Sequence, residues 1–322
     1  VLALALPLYL LILPKGIWAV IVLTIMLLLI GLFTRNFLWA TAGVGLLTAL
    51  LVSLDTFTGS SLMRFSYLGY DPIGGARFYG LGNEFMGILV GSLIMGWVCL
   101  AELMGLRRRQ TIAWAVPLFV LVLGAIAAPW WGTNVGGAIT AVLGFGVTLG
   151  ALGNFKVSWR TVLLLGFAVV LTLGALMYLD AGRAPEQQSH IGQTVRTIRG
   201  EGLLAVYNII QRKLAMNLRL IRYSIWSRAW IVALALIGAS FIWPSRFIAW
   251  LAKKYPQIAN GIWGTVVAGM AALIFNDSGV VAAATCVFFA ASTMAVLALE
   301  YRLLKHDFLS SESHIEDNTN SH

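Results

Sequence analysis

Asp277 stands in the string Asn276-Asp277-Ser278-Gly279, which interrupts a long apolar stretch near the end of the chain. A carboxylate at membrane depth is costly, so it is kept for a partner or a task. No Lys or Arg lies close to it in sequence. Three roles are open to Asp277: general base, ligand of a divalent metal, or partner of a distant arginine. A helical-hairpin turn accounts for Asn276 and Gly279 but leaves the acid unexplained. Asn276 and Ser278 are candidate substrate contacts beside it.

Glu84 closes a second cluster, Gly74-Gly75-Ala76-Arg77-Phe78-Tyr79-Gly80-Leu81-Gly82-Asn83-Glu84, just before an apolar run. Glycines there let backbone amides approach a ligand, and the start of a helix favours an anion. Arg77 adds a permanent charge whose fork matches phosphate. Asn83 is a candidate substrate contact, and Glu84 a second candidate base or metal ligand. The competing account is a re-entrant turn in which Arg77 and Glu84 neutralise each other. A soluble dinucleotide fingerprint is excluded because the strand and βαβ context are missing.

The third cluster, Trp130-Trp131-Gly132-Thr133-Asn134-Val135-Gly136-Gly137, also precedes an apolar run. Thr133 and Asn134 can cap that helix and contact a substrate, and the glycine pair permits close helix packing.

The fourth cluster is the segment 180–228, where Lys213 is the lone lysine among Arg183, Arg196, Arg199, Arg212, Arg219, Arg222 and Arg228. Arg212, Arg219 and Arg222, at i, i+7 and i+10, share a helix face, while Leu204, Ile210, Leu214, Leu218, Ile221 and Ile225 supply apolar surface. That pattern predicts an amphipathic, interfacial helix. It serves either adhesion to anionic head groups or, as the arginine bias favours, a cradle for a lipid-linked phosphate or pyrophosphate. His190 lies in the same segment as a candidate proton shuttle or a solvated loop residue. No zinc spacing, Walker motif, nucleophile elbow or regular internal repeat occurs.

The elements that must carry these clusters are membrane helices. With 59% hydrophobic and 11% charged residues and a mean hydropathy of +0.86, the chain belongs to the polytopic membrane class. Runs of near-spanning length without two-residue alternation predict an all-α transmembrane bundle of about ten spans. They fall at 1–13, 17–33, 38–54, 85–101, 112–128, 135–153, 162–179, 229–243, 261–275 and 280–299. The expected organisation is seven spans in 1–179, the basic extracytoplasmic segment 180–228, three spans in 229–305 and a disordered cytoplasmic tail, 306–322. The first run is short and begins without Met, which predicts a chain starting inside a span, after a missing N-terminal domain or partner. Cys99 and Cys286 sit in apolar runs and read as small hydrophobes.

Tracing the spans puts all four clusters at one end of the bundle. The 22 Lys and Arg residues divide equally between the two ends. One set, Arg35, Arg107, Arg108, Arg109, Lys156, Arg160, Arg246, Lys253, Lys254, Arg302 and Lys305, recurs at every connection on its side. The other side has two short connections with no cation. The first side is therefore expected in the cytoplasm and the clusters outside it. The acids Asp55, Asp71, Glu84, Asp180, Glu186, Glu201 and Asp277 all share the clusters' side.

The strings Arg77-Phe78-Tyr79-Gly80-Leu81-Gly82-Asn83-Glu84 and Asn276-Asp277-Ser278-Gly279 resemble those of a group of uncharacterised polytopic bacterial membrane proteins, over roughly 71–279. More loosely, many helices with one long basic extracytoplasmic segment late in the chain look like the O-antigen ligase and polymerase superfamily. That resemblance implies arginine-bound, undecaprenyl-pyrophosphate-linked sugars and catalysis outside the cytoplasm.

The expected function is the handling of a polyisoprenoid-phosphate or other anionic lipid substrate at the outer face, as a glycosyl or related group transferase in cell-envelope biogenesis. Arg77, Arg212, Arg219 and Arg222 would hold phosphate, with Asn83, Thr133, Asn134, Asn276 and Ser278 orienting polar groups. Asp277, Glu84 or His190 would move protons, and a divalent metal is the candidate cofactor. The partners are membrane lipid and the lipid-linked substrate, with no nucleic acid. A transporter or flippase for the same substrate class, and a membrane anchor, are the alternatives.

Overall fold

Uninterrupted apolar runs leave the backbone no partner but itself, and every described element of the chain is helical. The computed structural model describes residues 4–33, 36–68, 80–155, 158–181, 203–242 and 245–319. The helices are α1 (Leu6–Ile12), α2 (Ile17–Phe33), α3 (Phe37–Phe57), α4 (Ser61–Arg64), α5 (Asn83–Leu103), α6 (Arg108–Ala127) and α7 (Val135–Leu152). Then follow α8 (Trp159–Ala181), α9 (Leu203–Tyr223), α10 (Ile225–Ile242), α11 (Ser245–Lys254), α12 (Pro256–Phe275) and α13 (Gly279–Thr319). A short 3₁₀ turn, Leu13–Lys15, joins α1 to α2.

Among the described residues, 7 helices are long and apolar enough to cross a membrane: α3, α5, α6, α7, α8, α12 and the Gly279–Leu304 part of α13. This is a multi-pass helical membrane protein. Helices α1, α2 and α10 lie where the other three expected spans fall. Most observed helices outrun the apolar runs because caps and polar first turns belong to the helix. Thus Asn36 caps α3 by accepting from the Leu38 amide at 2.9 Å, and α6 begins with Arg108-Arg109-Gln110. At the other end of the chain, α13 continues to Thr319, into the stretch expected as a disordered tail. Beyond Gly279 the sequence holds neither Gly nor Pro to stop it.

Helix α5 is the centre of the bundle, with 83% of its spanning window buried; it packs on α3, α12 and α13. Helix α7 pairs with α12 and α6, and α8 packs on α7 with only 6% of its window buried. Lipid gives helices no hydrophobic reason to associate, so close approach through small residues has to supply the attraction. Gly45 and Gly96 provide it between α3 and α5, where a Cβ on Gly45 would lie 2.9 Å from the Ser92 carbonyl oxygen. Gly87 and Gly91 bring α5 against Ala282, Thr285 and Cys286 of α13 in the same way.

This antiparallel packing sorts the helix ends into two rims. At one, the Glu102 carboxylate at the end of α5 accepts from the Gln257 and Ile258 amides, at 2.7 and 3.3 Å, and so caps α12. Gln257 accepts from Thr111 at 2.6 Å and donates to the Leu106 carbonyl at 2.9 Å. Nearby, Lys254 pairs with Glu300 at 2.8 Å and lies over the rings of Trp250 and Tyr255. The hydrogen bond to Glu300 holds the Lys254 ammonium above its ordinary pKa, and burial pushes the Tyr255 phenol up. The starts of α5, α7 and α13 meet at the opposite rim.

Candidate functional site

Asn134 organises this second rim. As the N-cap of α7 its Oδ1 accepts from the Gly137 amide at 2.7 Å, which fixes the side chain and aims Nδ2 outward from the helix. Nδ2 donates to the Leu81 carbonyl at 3.0 Å and to Asn83 Oδ1 at 3.1 Å. Asn83 in turn donates from Nδ2 to Ser278 Oγ at 3.1 Å. One amide–amide–hydroxyl relay therefore ties together the starts of α5, α7 and α13. Neutral partners suit this depth, where each buried dipole must be satisfied inside the protein.

The backbone around the relay is built for close approach. The Leu81 amide donates to the Gly132 carbonyl at 2.9 Å, and Gly80 has a φ of 68°. A Cβ at Gly80 would collide with Gly132 and Thr133, and that position favours the left-handed conformation only glycine adopts freely. Thr133 itself has a φ of 47°, so the chain folds back: Gly132 and Asn134 donate to the carbonyls of Ala125 and Ile126. Trp131 packs edge-on against Phe57 with ring centroids 4.7 Å apart, which brings the end of α3 to the same rim.

Asn276 belongs to the same polar centre. Its Nδ2 donates to Thr140 Oγ1 at 3.3 Å and to the Ala272 carbonyl at 3.0 Å. A Cβ on Gly136 would stand 2.5 Å from Asn276 Oδ1, so glycine there lets α7 reach the turn. Thr133, Asn134, Asn276 and Ser278 are all buried. Glu84 is buried in the first turn of α5, with its carboxylate folded over Gly82; a Cβ on Gly82 would lie 3.0 Å from Oε2. A negative charge at the start of a helix is favourable.

Asp277 points the other way, its side chain 55% exposed, and pairs with Lys213 of α9 at 3.2 Å. The cation that Asp277 lacks in sequence is thus supplied by the fold. Lys213 also donates to the Phe275 carbonyl at 2.7 Å. Arg212, Arg219 and Arg222 of α9 are exposed, with the Arg222 guanidinium 5.5 Å from the centre of the Tyr223 ring. Ile210, Leu214, Leu218 and Ile221 form a separate exposed apolar stripe, while Met216 and Leu220 pack against Leu273, Val280 and Val281.

The structure therefore brings Asn83, Asn134, Asn276 and Ser278 into one centre, with Thr133 and Glu84 in the adjoining turns. It places Asp277, Arg212, Arg219 and Arg222 on the neighbouring outer surface. Arg77 and His190 lie outside the described residues. No group of three or more His, Cys, Asp or Glu residues comes together among the described residues, so those residues do not by themselves form a metal cluster. Asp55, another acid on this rim, accepts from the Leu62 and Met63 amides at 2.8 Å each and serves α4.

A reading of the sequence misses Thr140, Lys213 and Asn217. The signal for the last two was present: Lys213, Asn217 and Leu220, at i, i+4 and i+7, form a helix face distinct from the arginine face. No family model, curated protein or solved structure matches the chain.

Proposed function

We propose that the protein binds a polyisoprenoid phosphate or pyrophosphate, or a similar anionic lipid, at the extracytoplasmic face of a bacterial plasma membrane, and transfers a glycosyl or related group from it. The observation that carries this reading is the meeting of three helix starts at the Asn134–Asn83–Ser278 relay, beside a helix that exposes Arg212, Arg219 and Arg222. Helix starts present amides and positive potential to an anion, and guanidinium forks match phosphate oxygens. Orientation is supported by Arg107, Arg108, Arg109, Arg160, Arg246, Lys253, Lys254 and Arg302 at or near the other rim.

In this reading Arg77 and the arginines of α9 hold phosphate, while Asn83, Asn134 and Ser278 orient the head group. Glu84 or Asp277, with His190 as a shuttle, takes the proton of the acceptor hydroxyl as its oxygen bonds to the transferred group. The bond to the phosphate oxygen breaks, and the arginines carry the charge of the departing phosphate. Catalysis then rests on positioning and charge stabilisation, and arginine-held phosphate is what the looser resemblance to the O-antigen ligase and polymerase superfamily implies.

The bundle interior favours a site at one face over a transport path. Its buried hydroxyls Thr48, Thr148, Thr265, Thr285 and Thr293 donate to carbonyls of their own helices three or four residues back. The test replaces Arg212, Arg219 and Arg222 by Lys, which keeps charge and removes the fork. Binding of a polyprenyl phosphate should weaken far more than binding to anionic vesicles. Equal tolerance in both assays would leave surface adhesion as the role of α9.

A further inference from the structure

The turn between α12 and α13 breaks what would otherwise be one long apolar stretch, and it leaves both broken ends with orphan groups: carbonyls at the end of α12 and amides at the start of α13. One helix satisfies both. Lys213 of α9 caps the α12 end through the Phe275 carbonyl at 2.7 Å and pairs with Asp277 at 3.2 Å. One turn further along, Asn217 accepts from the Val280 amide at 3.3 Å and donates to the Asn276 carbonyl at 3.5 Å. Leu220, a turn beyond that, is buried against Val280 and Val281. The other side of the same turn carries Ser278 and Asn276, which meet Asn83 and Thr140.

From this arrangement we infer that Lys213 and Asn217 are positioning residues: they clamp 275–280 from outside and so set Ser278 and Asn276 in the polar centre. The inference rests on the proposed anionic-lipid site for its functional meaning, and on the geometry alone for the clamp. It gives Asp277 a second role, as the anchor by which the basic helix grips the turn. The arginine face of α9 and the relay then form one unit, because the residues facing the bundle fix the helix that displays the arginines.

The test uses the full chain in nanodiscs of zwitterionic lipid and two variants, Lys213→Met and Asn217→Leu, each compared with Ser278→Ala and with the double variants. Hydrogen exchange at the Val280 amide should rise about tenfold in Asn217→Leu as the start of α13 loosens. Binding of a polyprenyl phosphate should weaken about tenfold in either variant, and that loss should largely vanish in the Ser278→Ala background, since a positioning residue acts through the group it positions. Unchanged exchange at the turn, or binding losses that add, overturns the inference. Should Lys213→Met fail to fold, Asn217→Leu carries the same comparison without touching the ion pair. If the unaltered chain binds no polyprenyl phosphate, the functional reading falls while the exchange measurement still decides the clamp.

Discussion

The two rims of this bundle solve one problem with different chemistry. At the Glu102 rim, a carboxylate caps α12, a glutamine bridges to α6, and Lys254 is held between Glu300 and two aromatic rings. Glu102, Lys254 and Glu300 each have a short partner there, and Glu102 meets the start of α12. At the Asn134 rim the connections are neutral amides and a hydroxyl, and three helix starts share them. Neutral links hold those helix ends together, with the Glu84 carboxylate in the first turn of α5 beside them, whereas at the Glu102 rim the carboxylate is itself the link. The first rim reads as a fastening, and under the proposed function the second receives the anion.

Substitutions at the two rims should separate those roles. The largest effect is expected from Asn134→Ala, which removes the α7 cap and the Nδ2 hydrogen bonds to the Leu81 carbonyl and Asn83 Oδ1. It should cost about 2 to 4 kcal/mol of stability and also weaken binding of a polyprenyl phosphate. Glu102→Ala at the other rim should cost about 2 kcal/mol through the two uncapped amides, with that binding unchanged. Thermal unfolding in detergent alongside lipid binding checks both. A parallel loss of binding in Glu102→Ala would erase the distinction between the rims.

Ser278→Ala should lower stability by about 1 kcal/mol, since one neutral hydrogen bond is lost at the end of the relay. Its effect on lipid binding should exceed that of Glu102→Ala despite the smaller destabilisation; equality would make the relay a fastening too.

The smallest effect belongs to the Lys254–Glu300 pair, whose side chains are 40% and 37% exposed. Lys254→Met should cost between about 0 and 1 kcal/mol. Because Glu300 raises the folded-state pKa of Lys254, the contribution is fully present below the unfolded lysine pKa and fades as pH rises through the folded value. The difference between parent and variant should therefore be flat from neutral pH to about 9 and shrink in stronger alkali. A pH-dependent difference near neutrality would contradict the assignment to this pair.

Much of the scaffold was legible because span length is a local property: an apolar run must cover the hydrocarbon wherever it occurs in the chain. Parity of the spans placed Asn83, Asn134 and Asn276 to Ser278 at one end before any coordinates. It said nothing of which amide would face which hydroxyl, since that depends on the rotation of α5, α7 and α13 about their axes. Rotation here is set by contacts such as Gly87 with Thr285 and Gly136 with Asn276, which pair residues far apart in sequence. Lys213 was passed over because its charge looked like one more member of a basic segment; its spacing with Asn217 and Leu220 sets it on another face, and the packing of α9 shows what that face meets. Polarity alone points to a tail at 306–322, whereas the absence of Gly and Pro after Gly279 permits the continuation of α13 to Thr319.

Helix α8 is the least enclosed of the spans, with 6% of its spanning window buried and its packing mainly on α7, and its apolar span is 22 residues. At the standard rise that span is about 33 Å long, slightly more than an average hydrocarbon core. With its packing confined largely to α7, this helix has more freedom than the glycine-packed centre to change its tilt when the acyl chains of the surrounding bilayer are shortened.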